Sequence, residues 1–274
     1  MKNELIILKL GGSLLTDKNK PFSIRKKILE QCVDEIIKTK KKLIIVHGGG
    51  SFGHPIAKKY DISHGLNNNI ENQILGLAKT HEAMIKFNLI IIKHFLKRNY
   101  PVMAIEPFSI FIKDLNGIKI ETLESIEFSL EMGILPILYG DIIIDRERYF
   151  SILSGDLIIL ELCKNLQKFQ VSKVIFAIEK DGVFIEKDGN VKFLNEISSN
   201  KIDTIKLASL DKKIDVTGGI ESKLKIIKLI GMLNIPVQIL NGLKKNFIYK
   251  GIMNQEIKST IVSIPKNNNN SSDK

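Results

Sequence analysis

The 274-residue chain carries 41 Lys and Arg against 30 Asp and Glu, a formal charge of +11, and 44% of its residues are hydrophobic. That apolar content supports a sizeable core and excludes a disordered chain, while no apolar run reaches the roughly 18–20 residues of a membrane helix. Aromatic residues make up only 7%, tryptophan is absent, and the lysines are scattered, so the charge suits small phosphorylated anions better than stacked nucleic-acid bases.

Cys32 and Cys163 belong to no metal-type cluster, and the N-terminal residues show no signal-peptide pattern; a cytoplasmic protein without nucleic-acid or membrane partners is expected. The apolar segment Leu5 to Leu10 predicts a buried strand running into Gly11-Gly12-Ser13. A helix is expected from a Ser23 cap through Ile37. Lys42 to Val46 predicts a second strand, which breaks into His47-Gly48-Gly49-Gly50-Ser51-Phe52-Gly53-His54. A long helix follows over about 70–98, then a strand at 101–105 and a hairpin turning at Asn116-Gly117. Next come a helix at 123–132, a strand at 134–139 ending in Gly140-Asp141, and a hairpin pairing 142–144 with 149–153.

Ser154-Gly155-Asp156 opens a further helix, with the acidic residue suited to its N-terminus. A strand at 173–178, a hairpin turning at Asp188-Gly189-Asn190, a helix at 220–233, a strand at 236–240 and a closing strand at 259–264 complete the chain before a polar tail at 266–274. Strands alternating with helices predict a three-layer α/β sandwich, a mostly parallel central sheet with helices on both faces and peripheral β-hairpins.

Ligands of such sheets gather at the carboxyl ends of the strands. Here those ends carry Lys9 with Gly11-Gly12, His47 with Gly48–Gly50, Gly140-Asp141, Asp181-Gly182 and Asn241-Gly242. Backbone N–H groups of glycine turns form anion-binding concavities. Gly48, Gly50 and Gly53 match a dinucleotide turn in spacing, but no acidic residue follows at a strand end about 20 residues on. Gly48 and Gly53 also have the outer spacing of a P-loop, yet His54-Pro55 stands where Lys-Ser/Thr is required. Two glycine loops with Lys9, Lys18 and Lys223 suit phosphoryl transfer, which needs cations and N–H dipoles rather than covalent help. Taken alone, His54, Lys9, Lys18, Lys223 and Asp141 could each be structural; His47 reads as a cap on the turn.

The motifs occur together, and in order, as they do in the amino acid kinase superfamily. These are Lys9-Leu10-Gly11-Gly12-Ser13, the His47–His54 turn, Gly140-Asp141, Ser154-Gly155-Asp156, Asp181-Gly182-Val183, and Asp215-Val216-Thr217-Gly218-Gly219 with Lys223. Over about residues 4–264 the chain resembles that superfamily, and His54 with Asp17-Lys18 resembles its isopentenyl phosphate kinase family in particular.

The resemblance implies one amino acid kinase domain over 1–265, with an acceptor lobe at about 1–150 and an ATP lobe at about 151–265. It implies ATP with Mg²⁺ held by phosphates and water rather than by a dedicated metal site, isopentenyl phosphate as acceptor, and a homodimer. Lys9 and Lys18 would contact the transferred group, with Lys18 stabilising the transition state and Asp141 holding Lys9. Gly11, Gly12, Ser13, Gly50, Glu179, Asp181, Gly219 and Lys223 would bind ATP together with Lys9. Gly49, His54 and Gly155 would bind the acceptor's phosphate, and Leu77, His81, Ile142 and Ile152 would wall its hydrocarbon. Ile178-Glu179 departs from the Thr-Asp usual in the family. A superfamily kinase acting on a phosphonate or carboxylate, and a nucleotide-binding protein without catalysis, are the alternatives that the residues leave open.

Overall fold

A computed structural model describes residues 3–17, 19–208 and 219–265. Strand β1 (Asn3–Leu10) enters the centre of the molecule and leads straight into a one-turn helix, α1 (Gly12–Leu15). Helix α2 (Lys26–Thr39), β2 (Leu43–His47) and α3 (Gly50–Lys59) follow, then the long α4 (Gln73–Leu96). The chain continues through β3 (Val102–Ala104), the hairpin β4 (Phe111–Asp114) and β5 (Gly117–Ile120), and α5 (Glu124–Glu131). Next come β6 (Leu135–Tyr139), β7 (Asp141–Asp145), β8 (Tyr149–Leu153), α6 (Gly155–Asn165) and β9 (Phe169–Ile178). A hairpin of β10 (Val183–Lys187) and β11 (Asn190–Leu194) precedes β12 (Glu196–Ser198) and α7 (Gly219–Met232). Strand β13 (Val237–Asn241), α8 (Phe247–Ile252) and β14 (Ser259–Ser263) end the described fold.

Eight strands form the main sheet in the order β12-β14-β13-β9-β1-β2-β6-β3. The run from β13 to β3 is parallel, and β14 joins it antiparallel to β13. Four more strands, β5-β4-β7-β8, make a small second sheet. The chain crosses from one sheet to the other at Gly140, between β6 and β7.

The period-2 pleat of β1 sorts its side chains onto two cores. Leu5 and Ile7 pack with Ile126, Ile158, Ile159, Leu162 and Ile227, so α5, α6 and α7 cover one face. Ile6, Leu8 and Leu10 pack with Leu29, Val33, Phe87, Ile91 and Ile248, so α2, α4 and α8 cover the other. A third, smaller cluster of Ala57, Ile62, Ile142 and Phe150 lies with Leu77 and Phe108 against the small sheet.

The three-layer architecture matches the expectation, with corrections. Helix α2 starts at Lys26 with no side-chain cap, so Ser23 does not cap it. Helices α3 and α8 were not anticipated; Pro55 inside α3 had masked its helical pattern. Strand β9 begins at Phe169 rather than Lys173. The polar tail lies outside the described residues. Among those described, no helix is long and apolar enough to cross a membrane.

Candidate active site

The carboxyl ends of β1, β2, β6 and β9 converge, and the first two end in glycine turns that touch each other. A Cβ added to Gly12 would lie 2.4 Å from the Gly50 nitrogen, and Gly50 itself has φ +50°. Only glycine permits backbones to approach that closely with such a dihedral. Thr16 Oγ1 ties the turns together, donating to the Gly12 carbonyl at 2.7 Å and accepting from the Ser51 N–H at 2.9 Å. The two turns thus form one floor, with α1 and α3 starting from it. Helix N-termini beside glycine backbone are ready-made anion sites.

Lys9 shares the pleat face of Leu5 and Ile7 and therefore emerges toward α6. There its ammonium binds the Asp156 carboxylate. Asp156 sits in the first turn of α6, whose start is capped by Ser154 Oγ accepting from the Leu157 N–H at 3.2 Å. A carboxylate in the first turn is favoured by the helix dipole. Lys223, from the second turn of α7, reaches the same carboxylate at 3.1 Å. Both ammonium groups lie over the Phe176 ring, 5.8 Å and 5.4 Å from its centroid.

Burial, and then the neighbouring Lys223 charge, pull the Lys9 ammonium down to about 7, against the opposing pull of Asp156. Asp156 goes the other way: the two lysine charges hold its carboxyl at about 2 despite desolvation. One anion between two cations leaves a net positive charge, suited to a phosphate chain.

Asp141 was expected to hold Lys9. In the structure Asp156 does so, and the buried Asp141 instead accepts from His81 at 2.8 Å and from the Ile142 N–H at 2.8 Å. Both carboxylates follow a glycine, but Asp141 opens β7 whereas Asp156 lies in α6, on the sheet face to which the pleat of β1 directs Lys9. The other nitrogen of His81 lies 3.0 Å from Glu106. His81 is thus raised in pKa, chiefly by its hydrogen bond to Asp141.

Among the residues expected to bind the acceptor, the exposed His54 ring lies against Gly49: a Cβ there would come 3.3 Å from its Cδ2 and 3.4 Å from its Nε2. His47 is different. It is fully buried, bound to Asn88 at 3.3 Å and stacked on Tyr139, and burial lowers it to about 4, so it stays neutral and structural. Gly155 backs onto the Lys9 stem, 3.6 Å from an added Cβ to Lys9 Cε. Leu77 and Ile142 join the small third cluster; Ile152 pairs with Ile142 across β7 and β8 but is partly exposed.

The residues expected to bind ATP lie on several elements. Gly11 donates its N–H to the Ala177 carbonyl, fixing the first turn to β9. Ser13 lies in α1, and Gly219 opens α7. Glu179 is paired with Arg25 at 2.6 Å. Asp181 accepts from Lys244 at 2.7 Å and from Asn241 at 2.9 Å, which keep its carboxyl at about 2. Lys18 and the Asp215–Gly218 motif lie outside the described residues. Sequence reasoning missed the Arg25–Glu179 and His81–Glu106 pairs, because each joins segments far apart in the chain.

Fold and site together define a phosphotransferase of the amino acid kinase family: the chain belongs to that family, which it matches over residues 4–241. Within it, the chain is 36% identical to the isopentenyl phosphate kinase of Methanocaldococcus jannaschii, over 92% of this chain and 96% of that one. It is 29% identical to the isopentenyl phosphate kinase of Methanothermobacter thermautotrophicus, over 94% and 99%. A solved isopentenyl phosphate kinase structure superposes with a TM-score of 0.80 at 27% identity, covering 94% of this chain and 100% of the other.

Proposed function

We propose that the protein transfers the γ-phosphoryl group of ATP to isopentenyl phosphate, giving isopentenyl diphosphate for isoprenoid synthesis by an alternative mevalonate route. The observation that carries this reading is the pairing of the Lys9–Asp156–Lys223 cluster with an imidazole laid over the neighbouring glycine turn. Similarity to isopentenyl phosphate kinases over nearly the whole chain supports it.

In this reading the ATP phosphates lie along Gly11, Gly12, Ser13, Gly50 and Gly219, with Lys9 and Lys223 beside the β- and γ-phosphates. Glu179 and Asp181 border the nucleotide. The acceptor's phosphate is held by the Gly49 and Gly155 backbone and by His54. Its hydrocarbon lies toward Leu77, His81, Ile142 and Ile152. Lys18 is assigned to the phosphoryl group in flight. Mg²⁺ arrives with ATP, held by phosphate oxygens and water, and offsets charge on the transferred group. Residues of about 1–150 serve the acceptor and about 151–265 the nucleotide, in a cytoplasmic homodimer.

The chemistry is positional. An in-line displacement needs the acceptor oxygen and the γ-phosphorus held together, and cations placed where charge develops. The two fused glycine turns provide one rigid floor for both anions.

Steady-state kinetics with separate acceptors tests the assignment. Isopentenyl phosphate is expected to give the highest kcat/KM, with dimethylallyl phosphate close behind and fosfomycin at least ~100-fold lower. Preference for fosfomycin or for a carboxylate acceptor would overturn it.

Lys9 supplies a second expectation. Without nucleotide its charge is lost as pH rises through about 7. An adjacent phosphate chain favours the charged form, so ATP binding takes up protons on the alkaline side of 7. Calorimetry at pH 8 in buffers of different ionisation enthalpy is expected to show uptake approaching one proton per ATP, fading by pH 6. Equal heats in all buffers at pH 8 would exclude it.

A further inference from the structure

The segment between α1 and α2, described at Asp17 and over 19–23, runs beside the glycine floor. Its base is closed by the bridge between Thr16 and Ile24 and by the Arg25 N–H donating to the Leu15 carbonyl at 2.8 Å. Its C-terminal end is fastened to the first turn of α3, through Ser51. The Ser23 N–H donates to Ser51 Oγ at 3.2 Å, and Ser51 Oγ donates to the Ser23 carbonyl at 3.3 Å. The Phe22 N–H donates to the Ser51 carbonyl at 3.1 Å, with Phe22 at φ +56°. The Phe22 ring meets Phe52 edge-on at 5.4 Å.

Pro55 lies four residues after Ser51. An ordinary residue there would direct its N–H at the Ser51 carbonyl, the i→i−4 bond of the helix. Proline has no N–H. The carbonyl is instead shared with the loop, so a helix imperfection serves as a docking point. Ser51 is only 2% exposed, and its own N–H reaches Thr16 at 2.9 Å. It therefore bonds Thr16 before the loop and Phe22 and Ser23 at its end, from the helix that also carries His54.

We propose that Ser51 and Pro55 are positioning residues for catalysis: they lock Phe22 and Ser23 to the acceptor helix, and the Ser23 carbonyl in turn accepts from the Asp17 N–H at 3.2 Å, so that the adjoining Lys18 is fixed relative to the two phosphates. The inference rests on the reading of Lys18 as the lysine on the transferred group. Neither Ser51 nor Pro55 is assigned a contact with substrate. Their effect falls on the transition state, where a misplacement of about 1 Å can cost about 100-fold.

Substitutions in the full-length protein test this. Ser51→Ala removes both hydroxyl bonds. Pro55→Ala restores an N–H that competes for the Ser51 carbonyl while repairing the helix. Both are expected to lower kcat about 10- to 100-fold, with KM for ATP and for isopentenyl phosphate changed less than about threefold. Pro55→Ala should keep or raise the melting temperature, so its loss of rate cannot come from unfolding. In a Lys18→Ala background neither change should lower kcat further, because the group they place is gone.

Wild-type kcat in both variants, with Lys18→Ala impaired, overturns the fastening alone. Full multiplication of their effects with that of Lys18→Ala also overturns it. Wild-type kcat in Lys18→Ala overturns the reading of Lys18, and the fastening's role falls with it.

Discussion

Replacing Asp156 with Asn is expected to lower kcat by about 100- to 1,000-fold and to destabilise the free protein, although Asp156 need not touch either substrate. The carboxylate binds Lys9 and Lys223 at once, and both lysines are largely buried over Phe176. Without it two like charges face each other in a desolvated pocket. Lys9, already drawn down to about 7 by burial and by Lys223, would lose its charge at lower pH still. Misdirected or neutral cations forfeit the stabilisation of developing phosphoryl charge, worth about 2.7–4 kcal/mol for one well-placed group.

Stability should follow. Removing one partner of a buried ionic cluster costs roughly 3–5 kcal/mol. Since the folded state holds the Asp156 carboxyl at about 2, below its ordinary 3.8, its stabilisation is fully present above pH 4 and is lost as pH falls through about 2. Melting curves of the two proteins should therefore differ most at neutral pH and converge in acid. Saturating ATP should narrow the neutral-pH gap, because phosphate replaces the missing anion. An Asp156→Asn variant within twofold of wild-type kcat would remove the cluster from the account.

The second large effect is assigned to His54. His54→Ala is expected to raise KM for isopentenyl phosphate about 10- to 100-fold, the cost of about 1.5–3 kcal/mol for a hydrogen bond to a charged group. KM for ATP should stay within about threefold, because His54 lies over Gly49, whereas the ATP phosphates are assigned to Gly12 and Gly50. His54→Gln, able to donate a single hydrogen bond, should recover part of the loss. An unchanged acceptor KM in the alanine variant would move the acceptor's phosphate elsewhere.

Much of this was legible in the chain itself. Glycine with a polar residue at successive strand ends foretold a mostly parallel sheet with the candidate residues gathered at its carboxyl edge. The pairing of β1 with β2 and β9 then brings Lys9, His47 and Phe176 to that edge. Local chemistry was readable too: His47 read as a cap on the turn, and it is fully buried with its Nδ1 3.2 Å from the Gly48 carbonyl.

Side-chain partnerships were harder. Gly140-Asp141 and Gly155-Asp156 look alike as strings, and the lysine they compete for lies over 130 residues away. The discriminating signal is the pleat of β1: Lys9 shares a face with Leu5 and Ile7, whose cluster includes Ile158, Ile159 and Leu162 from α6. Asp141 begins a strand of the other sheet and meets α4 through His81. Pro55 concealed α3 because a proline at the sixth helical position reads as a break. The Ser51 carbonyl that it frees finds a partner in Phe22, 29 residues before Ser51, a bond between segments that no local pattern encodes.

The central claim is that this protein makes a diphosphate from isopentenyl phosphate at the expense of ATP. Phosphorus NMR of the full-length protein with Mg²⁺, ATP and isopentenyl phosphate tests it most directly. The monophosphate resonance should give way to the two coupled doublets of isopentenyl diphosphate, one equivalent for each ADP formed. An unchanged isopentenyl phosphate resonance, whether ATP is hydrolysed or left intact, would contradict it.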